Sequence, residues 1–441
     1  MNNTGIDVNG RNVVKLKVLV LNDYAYIEGG AGSVAIKSAI GLANRGHEVV
    51  FFSAVEPVCK ELLEAPFAKI ICLRQKDILN NPNKLNASLS GIYNRRAIKE
   101  IKKLFNNWRP DIAHIHNVSK ALSWAIITAI HNCKVPIIYT LHDYALLCPN
   151  MGIYNFQADS LCNLYQSGCG FKCLITNCDK RNYIHKIWRW VRYYFLQHGI
   201  GVRRKIKGYI AVSDFIAALF EKHLPSNKPI RVIYNPIVIS SSDDSEEVKR
   251  PFRKTTFLYL GRLSPEKGID LLLEAIKRVN ANLIIIGDGE MLEKCKASSK
   301  EQGEEKIKVL GWQNFQIISE MMKECIALII PSRWCETASI VIMEAAVNSL
   351  PCIVADRGAL IEFVKHGLTG LHFKANNVSS LADTMEKMIK TPELAQKLGR
   401  RAKEMFESYG MDINTHITKL EQFYLEIKKR GIFLPQNRKR I

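Results

Sequence analysis

The sequence predicts an α/β protein of two Rossmann-like, doubly wound parallel-sheet domains facing a cleft. Three observations carry this expectation. Apolar runs of strand length alternate with amphipathic runs of helical length, the pattern of a parallel sheet covered on both faces. A polar stretch interrupts the alternation, which then restarts. The 441 residues also exceed what one hydrophobic core usually serves.

The first series opens with Lys17-Val18-Leu19-Val20-Leu21, an apolar strand, followed by Gly29-Gly30-Ala31-Gly32 and a helical run from 33 to 44. Strand, glycine loop and helix in that order bring backbone amides toward a phosphate. Residues 48–52 read as a strand, 92–108 as a helix and 111–116 as another strand. A cysteine-rich, irregular stretch at 148–178 and a basic aromatic helix at about 182–197 read as insertions, after which 209–212 and 230–234 restore the strand pattern. The polar run 240–247 marks a linker, giving a first domain at 1–238 and a linker at 239–252. Strands at 256–260, 282–286, 307–310, 327–330 and 352–355 then predict a second domain at 253–410. Within 411–441, a helix at about 413–429 is expected to pack back across both domains, leaving 431–441 as a basic tail.

Composition is that of a soluble globular protein, 47% hydrophobic and 24% charged. No stretch approaches the ~18 to 20 apolar residues of a membrane-spanning helix, and the first residues lack a signal-peptide core, so the expected location is cytoplasmic. Twelve cysteines spread along such a chain read as reduced thiols. A net charge of +20 favours an anionic partner without choosing among nucleic acid, nucleotide and membrane.

Chemistry gathers at the carboxyl ends of strands, where open parallel sheets bind ligands. Pro331-Ser332-Arg333-Trp334-Cys335-Glu336 follows one strand and leads into a helix, so Glu336 falls in a loop and Glu344 about two helical turns further in. One acid can meet a sugar and the other a ribose; a capping acid plus a surface charge is the alternative. Gly261-Arg262-Leu263-Ser264-Pro265-Glu266-Lys267-Gly268 follows another strand, and Pro265 suits a helix start. Arg262 and Lys267 can neutralise a diphosphate leaving group, as a divalent metal does elsewhere, or remain a solvated pair. Gly287-Asp288-Gly289 lacks the third glycine of a dinucleotide fingerprint, and no Gly-Lys-Ser/Thr phosphate loop occurs.

Together with the glycine run and Thr140-Leu141-His142-Asp143-Tyr144, these residues closely resemble the family-4 retaining glycosyltransferases of the GT-B fold. The resemblance runs from about Val18 to the final helix, and its most diagnostic part is the Glu-x7-Glu pair, Glu336 and Glu344, preceded by Pro331-Ser332. Ala211-Val212-Ser213-Asp214, Asn235-Pro236 and Ile285-Ile286-Gly287-Asp288-Gly289-Glu290 are also similar. It implies a metal-independent, cofactor-free transfer, with retention, from a nucleoside diphosphate sugar to a glycan acceptor, and the basic segment from Lys180 to Lys207 favours a polyprenyl-diphosphate-linked one. The setting implied is bacterial surface polysaccharide synthesis, lipopolysaccharide or capsule. By the same resemblance, Arg262 and Lys267 hold the donor diphosphate, Glu344 binds the ribose, and Glu336 and His142 meet the transferring sugar. Gly29, Gly30 and Gly32 bring amides to phosphate or acceptor, and Gly287, Ser339 and Ile340 join the donor-binding set. A sugar-nucleotide epimerase of the same fold and a non-catalytic membrane scaffold stay open as alternatives.

Cys162, Cys169, Cys173 and Cys178, with Cys148 as a substitute, are candidate ligands of a structural zinc, against free buried thiols. Lys180, Arg181, Lys186, Arg189, Arg192, Arg203, Arg204, Lys205 and Lys207 follow with no acid among them, and Ile184, Ile187, Trp188, Val191 and Phe195 recur at helical spacing. That pattern predicts an interfacial helix on the anionic inner face of the cytoplasmic membrane, against a packed helix with a solvated basic face. Nucleic acid is not an expected partner, because no recognition module accompanies the charge.

Overall fold

The computed structural model describes residues 4–6, 12–78, 81–237 and 255–432. The chain divides into two compact units: Met1–Gly152 with Asn163–Pro236 and Asp412–Ile441, and Ile153–Cys162 with Ile237–Met411. The expected linker at 239–252 lies outside the described residues. Residues 153–162, read as part of the first domain, group with the second unit.

The first unit is built on seven strands: β1 (Lys17–Asn22), β2 (Glu48–Val55), β3 (Lys69–Gln75), β4 (Ile112–Asn117), β5 (Ile137–Leu141), β6 (Gly208–Ala211) and β7 (Ile230–Val232). They lie in the order β3-β2-β1-β4-β5-β6-β7, every neighbouring pair parallel. The winding reverses between β1 and β4, which opens a crevice at their carboxyl ends. The helix α1 (Gly29–Asn44) covers one face. The glycine run is its first turn rather than a loop before it, and Gly29 enters at φ +77°, a conformation that suits glycine.

The short helix α2 (Lys84–Ile92) was not expected. The helix expected at 92–108 is α3 (Arg95–Asn107), started by Asn94, whose side chain accepts the Ala97 N–H. The basic aromatic segment forms α4 (Tyr183–Tyr194), capped by Asn182, and runs on as a π-helical turn, Phe195–Ile200, that ends at left-handed Gly201.

The second unit repeats the winding with six strands: β8 (Thr256–Leu260), β9 (Asn282–Ile286), β10 (Ile307–Gly311), β11 (Ala327–Ile330), β12 (Cys352–Ala355) and β13 (Gly370–Phe373). Their order is β10-β9-β8-β11-β12-β13, again parallel throughout, and the reversal falls between β8 and β11. Helices of this unit include α5 (Ile269–Ile276) and α6 (Ile340–Val347).

The last described helix, α7 (Ile413–Ile432), was expected to pack back across both domains. It buries Ile417, Leu420, Phe423, Tyr424 and Ile427 in the core of the first unit, beside Val18, Val20, Ile36 and Phe51. Glu421 fixes it there, accepting from Arg45 at 2.8 Å and pairing with His47 at 2.7 Å. Residues from 433 onward, most of the expected basic tail, lie outside the described residues. No helix among the described residues is long and apolar enough to cross a membrane.

Candidate functional site

In the second unit, both loops at the winding reversal converge. The loop after β8 turns through a short 3-10 helix, Pro265–Lys267, to Gly268 at φ +71°. A Cβ on Gly268 would sit 2.0 Å from the Pro331 carbonyl oxygen, so only glycine lets this loop lie against the one after β11. Gly287, after β9, is equally tight, since a Cβ there would fall 1.9 Å from the Gly261 oxygen.

This packing sets Lys267 on Glu336, with Nζ 2.7 Å from Oε1. The Ser332 hydroxyl donates to the same oxygen at 2.6 Å and the Trp334 indole N–H at 2.9 Å. Burial alone would raise the Glu336 pKa, but the charge and hydrogen bond of Lys267 and the two further donors outweigh it and hold the carboxyl below its ordinary range. The Lys267 ammonium also lies 5.1 Å from the centre of the Trp334 ring. Glu336 is therefore a fixed anion, and Lys267 a partly exposed cation pinned beside it.

Arg262 stands on the same loop with an exposed side chain, its carbonyl accepting the Tyr259 hydroxyl at 2.7 Å. Glu344 is the fifth residue of α6 and half-buried, so it sits little more than one turn into the helix rather than two. Ser339 occupies the cap position of α6 without a side-chain capping bond, which leaves the amides of the first turn, from Ile340 on, uncapped by it.

Two arginines of this region went unread in the sequence. Arg333 donates to Asp270 at 2.5 Å and also contacts Asp159, and Arg357 donates to the Arg333 carbonyl. Arg357 follows β12 by two residues, so the rule that marked Arg262 could have marked it too.

In the first unit, the amino end of α1 and His142 share one edge of the sheet, after β1 and β5 respectively, with β4 between them. Asp23, also unread in the sequence, is fully buried there and accepts the backbone N–H groups of Ser119 at 3.0 Å, Lys120 at 2.8 Å and Leu122 at 2.8 Å. It thereby folds the loop after β4 against the end of β1. Burial pushes the His142 imidazole down to about 3 and the Asp143 carboxyl up to about 6. His142 is thus neutral at pH 7, and His116 Nδ1 lies 3.0 Å from its Nε2.

The cysteines gather in part: Cys169 and Cys173 share one buried cluster, and Cys173 and Cys178 flank one lysine. Cys148, Cys169, Cys173 and Cys178 are buried, whereas Cys162 is half-exposed and belongs to the second unit. Fully buried Lys186 places Nζ 3.2 Å from both Cys173 Sγ and Cys178 Sγ. Among the described residues no three or more His, Cys, Asp or Glu side chains are arranged to hold a metal ion. An ammonium in contact with the sulfurs does not fit zinc there.

The basic helix is also rearranged. Arg189 pairs with Asp179 at 3.0 Å, buried Arg192 donates to the Ser119 carbonyl at 2.7 Å, and Arg203 donates to the His223 carbonyl at 3.0 Å. These cations, with Lys186, are internal braces rather than a solvated face. The apolar stripe instead points out: Ile184 is 78% exposed, Ile187 and Val191 are exposed, and Phe171 nearby is 73% exposed. Helix α2 abuts α4, with the Trp188 indole donating to the Ser88 carbonyl at 3.2 Å, and adds Leu85 and Leu89 to the exposed apolar side chains.

Comparison with known proteins accounts for both units. Residues 28–241 match the family described as Glycosyltransferase Family 4, and residues 240–405 the family described as Glycosyl transferases group 1. An uncharacterized glycosyltransferase, MJ1178, of Methanocaldococcus jannaschii is 30% identical over 220 residues, 50% of this chain and 59% of its own. Lipopolysaccharide 1,6-galactosyltransferase of Salmonella typhimurium is 30% identical over 190 residues, 41% of this chain and 52% of its own. The match thus spans only somewhat more than half the length of these relatives. Anabaena Alr3699/HepE, solved in complex with UDP and glucose, superposes with a TM-score of 0.66 at 18% identity, covering 93% of this chain and all of the other, a likeness of fold.

Proposed function

The chain belongs to the family-4, group-1 glycosyltransferases of the GT-B fold, and on that premise we propose that it transfers a sugar from a nucleoside diphosphate sugar to a glycan acceptor, with retention of configuration. The observation that carries the reading is the Lys267 ammonium pinned on Glu336 at the winding reversal of the second unit, beside exposed Arg262. Two cations there supply the positive charge that a departing diphosphate needs, which is the basis for a metal-independent reaction. Glu344 binds the ribose and Glu336 the sugar. The acceptor proton passes to the leaving phosphate oxygen as the new glycosidic bond forms on the face the diphosphate leaves.

The acceptor is a polyprenyl-diphosphate-linked glycan of lipopolysaccharide or capsule synthesis, met at the inner face of an anionic membrane. Two features of the first unit support this. A cavity of about 870 Å³ is lined by Lys76, Arg95, Arg96 and Lys120 together with Tyr93, suited to an anionic group. The exposed apolar side chains of α2 and α4 suit a bilayer surface, with attraction coming from buried apolar area more than from charge.

The test is a panel of nucleotide sugars, starting from UDP-glucose and UDP-galactose, with thermal shift and product analysis. A true donor present at about 100 times its dissociation constant stabilises by about 2.7 kcal/mol, and incubation with a lipid-diphosphate glycan yields a joined product plus free nucleoside diphosphate. Release of an altered nucleotide sugar with no joined product would establish the epimerase reading instead.

A further inference from the structure

Beneath His142 lies a polar chain that the reaction above does not use. β4 points His114 and His116, two residues apart, to the same face of the sheet. The His114 ring is spanned on both sides, with Nδ1 2.6 Å from the Tyr424 hydroxyl and Nε2 2.7 Å from the Thr140 hydroxyl. His116 and His142 are inclined by only 24°, with ring centres 5.3 Å apart and Nδ1 to Nε2 at 3.0 Å. Nearly coplanar rings at that spacing meet edge to edge, so the contact is an in-plane N–H···N hydrogen bond rather than a face stack.

One proton lies between the two nitrogens, and the burial of His116 decides whose it is. His116 is 2% exposed, and its Nε2 has no hydrogen-bond partner among the described residues. Were His142 the donor, His116 would have to carry its own proton on that Nε2, leaving a buried N–H with no acceptor, the costlier kind of orphan. With His116 as the donor, the orphan is only a lone pair. Burial holds both rings neutral, so each carries one N–H.

We propose that His116 is a positioning residue that donates its Nδ1–H to His142 Nε2, fixing His142 as the Nδ1–H tautomer, so that His142 meets a ligand oxygen as a hydrogen-bond donor and not as a proton acceptor. This rests on the reading of His142 as a sugar contact. It assigns the acceptor hydroxyl's proton to a group other than His142.

The experiment is nitrogen-15 NMR of the whole chain labelled at histidine, with the His142 signals assigned by their loss in His142→Gln. The Nδ1–H pattern is expected for His142 in the unaltered protein. It should persist in His116→Asn, whose amide N–H takes the place of Nδ1–H, and give way to Nε2–H or a mixture in His116→Phe. With UDP-glucose as donor probe, kcat should fall about tenfold in His116→Phe with KM little changed, and recover in His116→Asn. An Nε2–H pattern in the unaltered protein overturns the proposal, whether or not either variant folds. So does equal loss of kcat in both variants with the His142 tautomer unmoved. An Nδ1–H pattern alongside full turnover by His142→Gln would overturn the sugar-contact reading instead.

Discussion

The two sheets are wound in the same order, yet the crevices where their winding reverses are built from opposite materials. Between β8 and β11 the loops carry full charges, a carboxylate kept ionised by an ammonium at 2.7 Å and two hydrogen-bond donors. Around β1, β4 and β5 burial disfavours the charged forms: imidazoles lie below their usual range, and the Asp143 carboxyl above it. Equal topology therefore does not give equal chemistry. What differs is the supply of partners: Lys267 outweighs burial at Glu336, whereas at Asp143 burial outweighs the Ala145 N–H and the charges of Lys120 and Arg192.

The comparison is broken most severely by removing the cation. Lys267→Ala should lower transfer by at least about a hundredfold, as loss of a group that stabilises developing charge does, with the fold retained by circular dichroism. Near-normal turnover would show that the charged crevice is structural. Removing Arg192 tests the helix whose charges turned inward. Arg192→Gln should cost about 2 kcal/mol of stability by leaving the Ser119 carbonyl without its charged donor, seen as a lower melting temperature. Arg204→Gln, on an exposed side chain, should stay within about 0.5 kcal/mol. Ile184→Asp with Ile187→Asp should leave melting unchanged and weaken binding to anionic vesicles; unchanged vesicle binding would end the membrane assignment.

The pH dependence of stability sharpens the contrast, because the two carboxyls carry opposite signs. Glu336 is depressed, so its pair contributes fully above the ordinary carboxylate pKa of about 4.3 and is lost as pH falls below it. Asp143 is raised, so the folded state binds its proton more tightly. Its contribution is fullest below about pH 4 and declines as pH rises through about 6. Melting temperatures across that range should therefore show Glu336→Gln removing stability lost toward acid and Asp143→Asn removing stability lost toward neutrality. The smallest expected effect is that of a chelator: transfer should survive EDTA, and a loss restored by magnesium or manganese would overturn the metal-independent reading.

Much of this was legible because parallel sheets announce themselves. β8, β9, β11 and β12 are short runs of aliphatic and aromatic residues, and the residues just past their ends, Arg262, Gly287 and Glu336, are where ligand chemistry belongs. Charge counting misled where burial intervened. A cation run without acids reads as a solvated face, but Arg192 found a backbone carbonyl and Lys186 two sulfurs, neither visible as an opposite charge in sequence. Cys162 was counted with its neighbours because spacing records distance along the chain, whereas residues 153–162 belong to the second unit. Helix α2 went unread because Asn86, Ser88, Ser90 and Gly91 are weak helix formers and read as a loop.

Helix α7 has a consequence for the order in which the molecule is made. The second unit's main segment, Ile237–Met411, is interposed between parts of the first, whose core waits for Ile417, Leu420, Phe423 and Tyr424. During synthesis at about 5 to 20 residues per second, the first sheet leaves the ribosome long before the helix that covers it, with the whole second unit emerging in between. His114, whose ring needs the Tyr424 hydroxyl, is then without that partner for the interval. The later half of the chain can complete its own core first, and the earlier half must stay unaggregated with an open apolar face until the last stretch arrives.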